Sequence, residues 1–170
     1  RQPWRVAVSL LSQALDCDEP RLMLDIKVPT ELLAATTRIA RRKVGTPCSS
    51  MGRLFDGVAA IILGIGEAQF EGEPAMRLEA ACDPTAGGTY ELPIDHTAEI
   101  PQLDWRPLVR NLWDDCRSGT SAGAMAIKFH RSVATAAVAV AARYRDCPTV
   151  LGGGCFQNRV LTELVATQLD

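Results

Sequence analysis

The longest uninterrupted helical pattern in the chain, Ser121 to about Tyr144, is alanine-rich and apolar nearly all round. A helix without a polar stripe needs cover on every side, so this segment predicts an interior helix between a sheet and other helices. Beyond it, Pro148-Thr149-Val150-Leu151 is short, apolar and β-prone, Gly152-Gly153-Gly154 turns, and Val160, Leu161, Leu164 and Val165 resume a helical period. Strand, glycine turn and helix in that order predict an α/β fold, rich in helix. The 170 residues, 47% of them hydrophobic, suffice for one sizeable core, either one domain or one lobe of a larger one.

Upstream, Trp4, Val8, Leu11 and Leu15 stand at helical spacing over residues 1–15. A second helix is expected from Thr30, as its N-cap, to Arg42, with Leu32, Leu33, Thr36 and Ile39 on one side. An acidic turn containing proline joins the two. The basic run at 40–43 reads as a solvated helix end, where the dipole favours cations. After Gly45 and Pro47, Ser49 or Ser50 caps a helix to Gly64. Leu54, Phe55, Val58, Ile61 and Ile62 form its apolar face, and Gly52, Asp56, Ala60 and Gly64 recur every four residues on another. That stripe of small side chains with one carboxylate admits a packed helix or a ligand.

Residues 71–81 read as a helix and 83–88 as a turn. Residues 89–94 and 99–103 read as two strands of a hairpin, and Asp104 as the cap of a helix to Cys116 that Gly119 closes.

A net charge of −2 gives no attraction for a nucleic-acid backbone or an anionic membrane surface. The most apolar run, residues 133–142, is about half the roughly 20 residues a bilayer requires. Arg1 to Arg5 lack a leader pattern, and Arg1 reads as a cut inside a longer protein. Cys17, Cys48, Cys82, Cys116, Cys147 and Cys155 are scattered without CxxC, which predicts reduced, mostly buried thiols in a cytoplasmic protein.

His96 and His130 form no ligand pair, so no metal site is expected within the chain. His130, beside Phe129, reads as a hydrogen-bonded core histidine, and His96 as a loop residue. No Ser-His-Asp order, glycine-serine elbow or specific carboxylate pair appears.

Two segments remain. In LGGGCFQNR, Leu151 to Arg159, glycines between a strand and a helix let backbone N–H groups approach a phosphate at a helix N-terminus. The segment matches neither GxxxxGK[ST] nor GxGxxG, and a tight structural turn explains it as well. In SSMGRLFD, Ser49 to Asp56, Gly52 opens room at a helix start and Asp56 can accept hydrogen bonds from vicinal hydroxyls such as those of ribose. Pairing of Asp56 with Arg53 is the plainer reading.

Taken together, residues 49–56, 70–79 (FEGEPAMRLE), Phe129-His130 and 152–159 closely resemble, in order and interval, the C-terminal carbamoyltransferase region of the HypF family. The opening RQPWR is similar to the start of that family's helical insertion. The resemblance implies an insertion at 1–45 and an incomplete nucleotide-binding lobe at 46–170, part of an actin-like ATPase fold shared with sugar kinases. It implies that Gly52 and Asp56 hold the nucleoside, and that Asn158, after Gly152, Gly153 and Gly154, contacts the adenylate. Replacing Asn158 is expected to leave folding little changed.

It further implies an enzyme that uses ATP and carbamoyl phosphate to form carbamoyl-adenylate. The carbamoyl then passes to the C-terminal cysteine of HypE, to become a cyanide ligand of nickel-iron hydrogenase. The divalent-metal ligands would lie outside the chain, and the isolated chain would be inactive. Cys48 and Cys155 stand where family members often carry other small residues.

Other readings are a non-catalytic lobe that recognises a partner through residues 1–42, a tRNA threonylcarbamoyl-transferase-like relative, and a small-molecule kinase of the same fold. The tRNA reading is disfavoured by the sequence SSMGRLFD and by the charge.

Overall fold

Pro3 fixes its own φ and needs no N–H partner in a first helical turn, and α1 spans Pro3–Ala14. Trp4, Ala7, Val8 and Leu11 are almost wholly buried, as the spacing predicts, while Leu15 sits at the C-cap. The computed structural model describes residues 2–15, 28–42, 44–46, 48–97, 99–144 and 146–169. The acidic turn after Leu15, with Cys17 and Asp18, and also Arg1, Lys43, Pro47 and Asp170, lie outside the described residues. The chain forms two compact units, Arg1–Ala80 and Ala81–Asp170. This is a division by packing, distinct from the 1–45 insertion and 46–170 lobe of the resemblance.

In the first unit α1 packs on α2 (Thr30–Arg41) and on α3 (Met51–Leu63), which also packs on α4 (Glu73–Ala80). Thr30 is the first helical residue of α2, not its cap. Pro29 takes the cap position and has no side-chain oxygen to offer. The buried stripe of α2 is also rotated from the expected one. Thr36 and Thr37 are buried, whereas Leu32 and Ile39 are 42% and 51% exposed. Thr37 accommodates this because its hydroxyl donates to the Leu33 carbonyl at 3.0 Å.

Ser50 is the N-cap of α3 but makes no side-chain capping bond, and Gly64 closes the helix at φ +64. The close helix approach falls at Gly57, where a Cβ would stand 2.5 Å from Leu10 Cδ1 and 3.0 Å from Val6 Cγ1. The four-residue stripe of small side chains is not the contact surface as a whole: Ala60 is fully buried, but Gly64 is exposed.

In the second unit α5 (Trp105–Arg117), α6 (Ala122–Ala141) and α7 (Arg159–Leu169) carry the core. Leu108, Leu112, Phe129, Val133, Leu161 and Val165 are at most 5% exposed. Burying each such side chain stabilises the fold by about 1.5–3 kcal/mol. Capping follows expectation at both long helices: Asp104 accepts from the Arg106 N–H at 3.0 Å, and Ser121 from the Ala124 N–H at 3.3 Å.

The strand expectations are corrected. Among the described residues β structure is one antiparallel ladder of β1 (Ile94–Asp95) and β2 (Gln102–Leu103), so the hairpin is far shorter than 89–94 with 99–103. Upstream, residue 90 is held by side chains instead: the Tyr90 N–H donates to Ser132 Oγ at 2.7 Å, and its hydroxyl to Asp115 at 2.8 Å. Residues 148–151 form no strand. Val150 is 86% exposed, and a strand exists only where a neighbour takes up its backbone groups.

Accordingly α6 is not sandwiched against a sheet. It packs on α5 and α7, and its C-terminal end, including Val140 at 40% exposure, is open. The helix-rich expectation holds, with the β part of the α/β expectation reduced here to that ladder.

The start of α6 lies so close to residues 81–83 that a Cβ on Gly123 would stand 2.9 Å from the Ala81 carbonyl oxygen and 3.0 Å from Asp83 Cβ. The Gly123 carbonyl also accepts from the Asp83 N–H at 3.1 Å. Because one obstacle is backbone, Gly123→Ala is expected to destabilise the protein by about 1–3 kcal/mol through overpacking, despite the roughly 1 kcal/mol that alanine gains in helix propensity. Denaturant unfolding of the two proteins measures the difference.

Candidate functional site

Gly52 lies in the first turn of α3, and Asp56 one turn later, its side chain 19% exposed. A Cβ on Gly52 would meet nothing nearer than Ser50 Oγ at 3.6 Å, an ordinary contact. The Asp56 carboxylate accepts from Arg53 at 3.1 Å, the pairing read from the spacing. The ion pair is largely solvated on the arginine side and contributes at most about 1 kcal/mol. Gly52 and Asp56 belong to the first unit, Gly152, Gly153, Gly154 and Asn158 to the second.

In the second unit the glycines stand on the surface before a short 3-10 turn, Gly154–Gln157, and α7 follows. Gly153 has φ +84, a conformation that favours glycine. Gly152 and Gly154 have no such requirement, and a Cβ on any of the three would meet nothing within 4 Å.

Asn158 is 7% exposed and faces inward. Its Oδ1 accepts from the Leu161 N–H at 2.8 Å and so caps α7 at the third helical residue. Its Nδ2 lies 2.9 Å from Nε2 of His130, which is fully buried. His130 Nδ1 lies 2.8 Å from the Ala126 carbonyl oxygen, which can only accept, so Nδ1 carries the proton and Nε2 accepts from Asn158. Cys82 Sγ is 3.3 Å from the same Nδ1. The hydrogen-bonded core histidine of the sequence reading is thus observed, whereas its partners 28 and 48 residues away carry no sequence signal. The packing of α7 on α6 brings Asn158 to His130, and the segment at 81–83, which approaches the start of α6, brings Cys82.

A second polar cluster joins Tyr90, Asp115 and Lys128, with Lys128 Nζ 2.8 Å from Asp115. Partial burial acts to raise the Asp115 pKa, but the hydrogen bonds from Lys128 and Tyr90 outweigh it and hold the carboxyl below its usual range. Burial pushes Cys116 up to about 11, and burial also raises Cys155. Neither is an activated thiol. The expectation of mostly buried thiols is corrected: Cys48 and Cys147, in loops, are exposed, and Cys82, Cys116 and Cys155 are intermediate.

A groove of about 490 Å³ is lined by Ala34, Thr37, Arg38, Arg41 and Arg42. Another of about 370 Å³ is lined by residues including Tyr90, His96, Ser132 and Thr135. Neither includes Gly52, Asp56, Asn158 or the glycine turn, because the turn is open surface rather than an enclosed cavity. Among the described residues no group of three or more His, Cys, Asp or Glu side chains is placed to hold a metal ion.

The sequence profile of the family described as "Carbamoyltransferase, Kae1-like Domain, second subdomain" matches residues 1–170. The chain belongs to the HypF carbamoyltransferase family. It is 39% identical over 122 residues to carbamoyltransferase HypF of Synechocystis sp., covering 71% of this chain and 16% of that protein. It is 37% identical to HypF of Rhizobium leguminosarum bv. viciae, covering 99% of this chain and 22% of that one. Its fold is similar to the crystal structure of full-length HypF in the phosphate- and nucleotide-bound form, at a TM-score of 0.84 and 28% identity. That match covers 99% of this chain and 22% of the other. The chain therefore spans about a fifth of the length of these HypF relatives.

The inward role of Asn158 overturns the expectation that its replacement leaves folding little changed. Asn158→Ala deletes the cap of α7 and removes the amide that donates to the buried His130 Nε2. It is expected to lower stability by about 1–3 kcal/mol, measured by denaturant unfolding of the full natural polypeptide that carries this sequence.

Proposed function

We propose that this chain supplies part of the nucleotide-binding region of an ATP-dependent carbamoyltransferase, of actin-like ATPase fold, acting in nickel-iron hydrogenase maturation. The transfer begins from carbamoyl-adenylate, formed with ATP and carbamoyl phosphate. The thiolate of the C-terminal cysteine of HypE attacks the carbamoyl carbon. A carbon–sulfur bond forms, the carbon–oxygen bond to the phosphate breaks, and AMP leaves with the electron pair.

In this reading Gly52 gives the nucleoside room and Asp56 accepts hydrogen bonds from its ribose hydroxyls. The backbone N–H groups of Gly152, Gly153 and Gly154 face the phosphate side, where negative charge is held during transfer. Asn158 holds the end of that turn. The observation that carries the reading is the glycine turn itself: Gly152 and Gly154 answer no packing or conformational demand within the fold, in a chain whose whole length matches this family. Glycine there leaves backbone accessible.

The divalent metal of the family finds no fitting ligand set among the described residues. The nearest candidate pair is Cys82 with His130, and both His130 nitrogens are engaged in hydrogen bonds. No step of this chain is assigned to a metal. The reading places the protein in the cytoplasm, and no helix of the described residues is long and apolar enough to cross a membrane.

Calorimetric titration of the full natural polypeptide with a non-hydrolysable carbamoyl-adenylate analogue tests the assignment. Asp56→Ala is expected to weaken binding by about 1–3 kcal/mol, the scale for losing a buried polar contact. Wild-type affinity in that variant would remove Asp56 from the site.

The 170-residue chain alone, offered carbamoyl phosphate, ATP and a HypE C-terminal peptide, is expected to transfer no carbamoyl. Mass spectrometry of the peptide reads the outcome, and a carbamoylated cysteine would contradict the expectation.

A further inference from the structure

We infer that His130 is a positioning residue for the nucleotide-facing turn, acting through Asn158; the inference rests on the nucleotide reading above. Gly152, Gly153 and Gly154 have no side chains to hold them, and all three are exposed. The Phe156 N–H donates to the Gly153 carbonyl at 3.2 Å within the turn, and the direction of the glycine N–H groups then depends on how the far end of the turn is anchored. Two anchors are built there. Thr162 donates from its hydroxyl to the carbonyl oxygens of Phe156 and Asn158, at 2.8 and 2.9 Å, tying the turn to α7. Asn158 ties it to α6 through His130 at 2.9 Å.

The second anchor depends on ring chemistry. His130 Nδ1 donates to the Ala126 carbonyl one helical turn earlier, which leaves Nε2 as an acceptor. Phe129 meets the ring edge-on at 5.8 Å between centroids. With Nδ2 held by that acceptor, the amide of Asn158 cannot flip, and Oδ1 is committed to the Leu161 N–H. His130 thus sets the α7 N-terminus and the turn before it as one rigid piece, from a position that is itself fully buried.

The test separates the two ring nitrogens. Glutamine places a polar atom near the position of Nε2, and asparagine near that of Nδ1. In the full natural polypeptide, His130→Gln is expected to bind ATP within about twofold of wild type. His130→Asn is expected to bind it at least about fivefold more weakly, the scale of one lost hydrogen bond. Thermal unfolding is recorded on both, and a role confined to stability would move the midpoints while leaving affinity for ATP equal in the two folded variants. Equal affinities, whether both like wild type or both reduced, would overturn the inference.

If either variant does not fold, the imidazole ¹⁵N resonances of wild-type protein decide. ATP is expected to shift the His130 Nε2 signal, and an unmoved signal would overturn the inference. Gly153→Val separates this result from the parent reading, since it touches the turn and not the anchor. Undiminished ATP affinity in Gly153→Val removes the nucleotide reading and the inference with it. Affinity lost in Gly153→Val but equal in the two His130 variants removes the inference alone.

Discussion

The contact on which the second unit depends is the hydrogen bond between His130 Nε2 and Asn158 Nδ2, 2.9 Å long and away from solvent. A hydrogen bond of this kind contributes only about 0.5–1.5 kcal/mol net, but leaving one partner buried and unmatched costs about 1–3 kcal/mol. That asymmetry makes it a constraint on register. α6 and α7 have many apolar ways to pack Phe129, Val133, Leu161 and Val165 together. An arrangement that slides one helix along the other strands both the imidazole and the amide. Apolar burial supplies the stability of the pair, and the polar contact selects which packing is adopted.

The glycines sort into two groups by what their missing Cβ would meet. Gly57 and Gly123 allow one piece of chain to approach another, and side chains or backbone already occupy the space. Gly52, Gly152 and Gly154 have no such neighbour, and none of the three has a positive φ. Glycine lowers stability through the entropy of the unfolded chain. Gly87 shares both properties, so at these positions glycine leaves backbone accessible without answering a packing need. Burial raises both Cys116 and Cys155 above the ordinary thiol range, so neither is an activated thiol.

Much of the helical skeleton was legible along the sequence because its signals are local. The spacing of Trp4, Val8 and Leu11 marked α1, Asp104 and Ser121 capped α5 and α6, and Gly64 and Gly119 ended helices with the left-handed residue their position requires. These features depend on neighbours within a turn. The motifs SSMGRLFD and LGGGCFQNR were legible in the same sense, as linear patterns, and with their spacing they located the family that the comparisons bear out.

Only tertiary structure decided the rest, because the deciding partner lay far away in sequence. Val150 and its neighbours have strand propensity, but propensity makes no ladder without a second backbone alongside, and here they stand exposed. Of the expected stripe of Leu32, Leu33, Thr36 and Ile39, Thr36 is buried, joined by Thr37, whereas Leu32 and Ile39 are exposed. Asn158 stands beside a glycine turn, and packing pairs its amide with His130 and its oxygen with the head of α7, which the sequence pattern does not show. The sequence determined that these groups exist and which helices carry them. Which polar atoms pair was decided by the packing of α6 on α7, since a buried donor must find its acceptor wherever the fold places one.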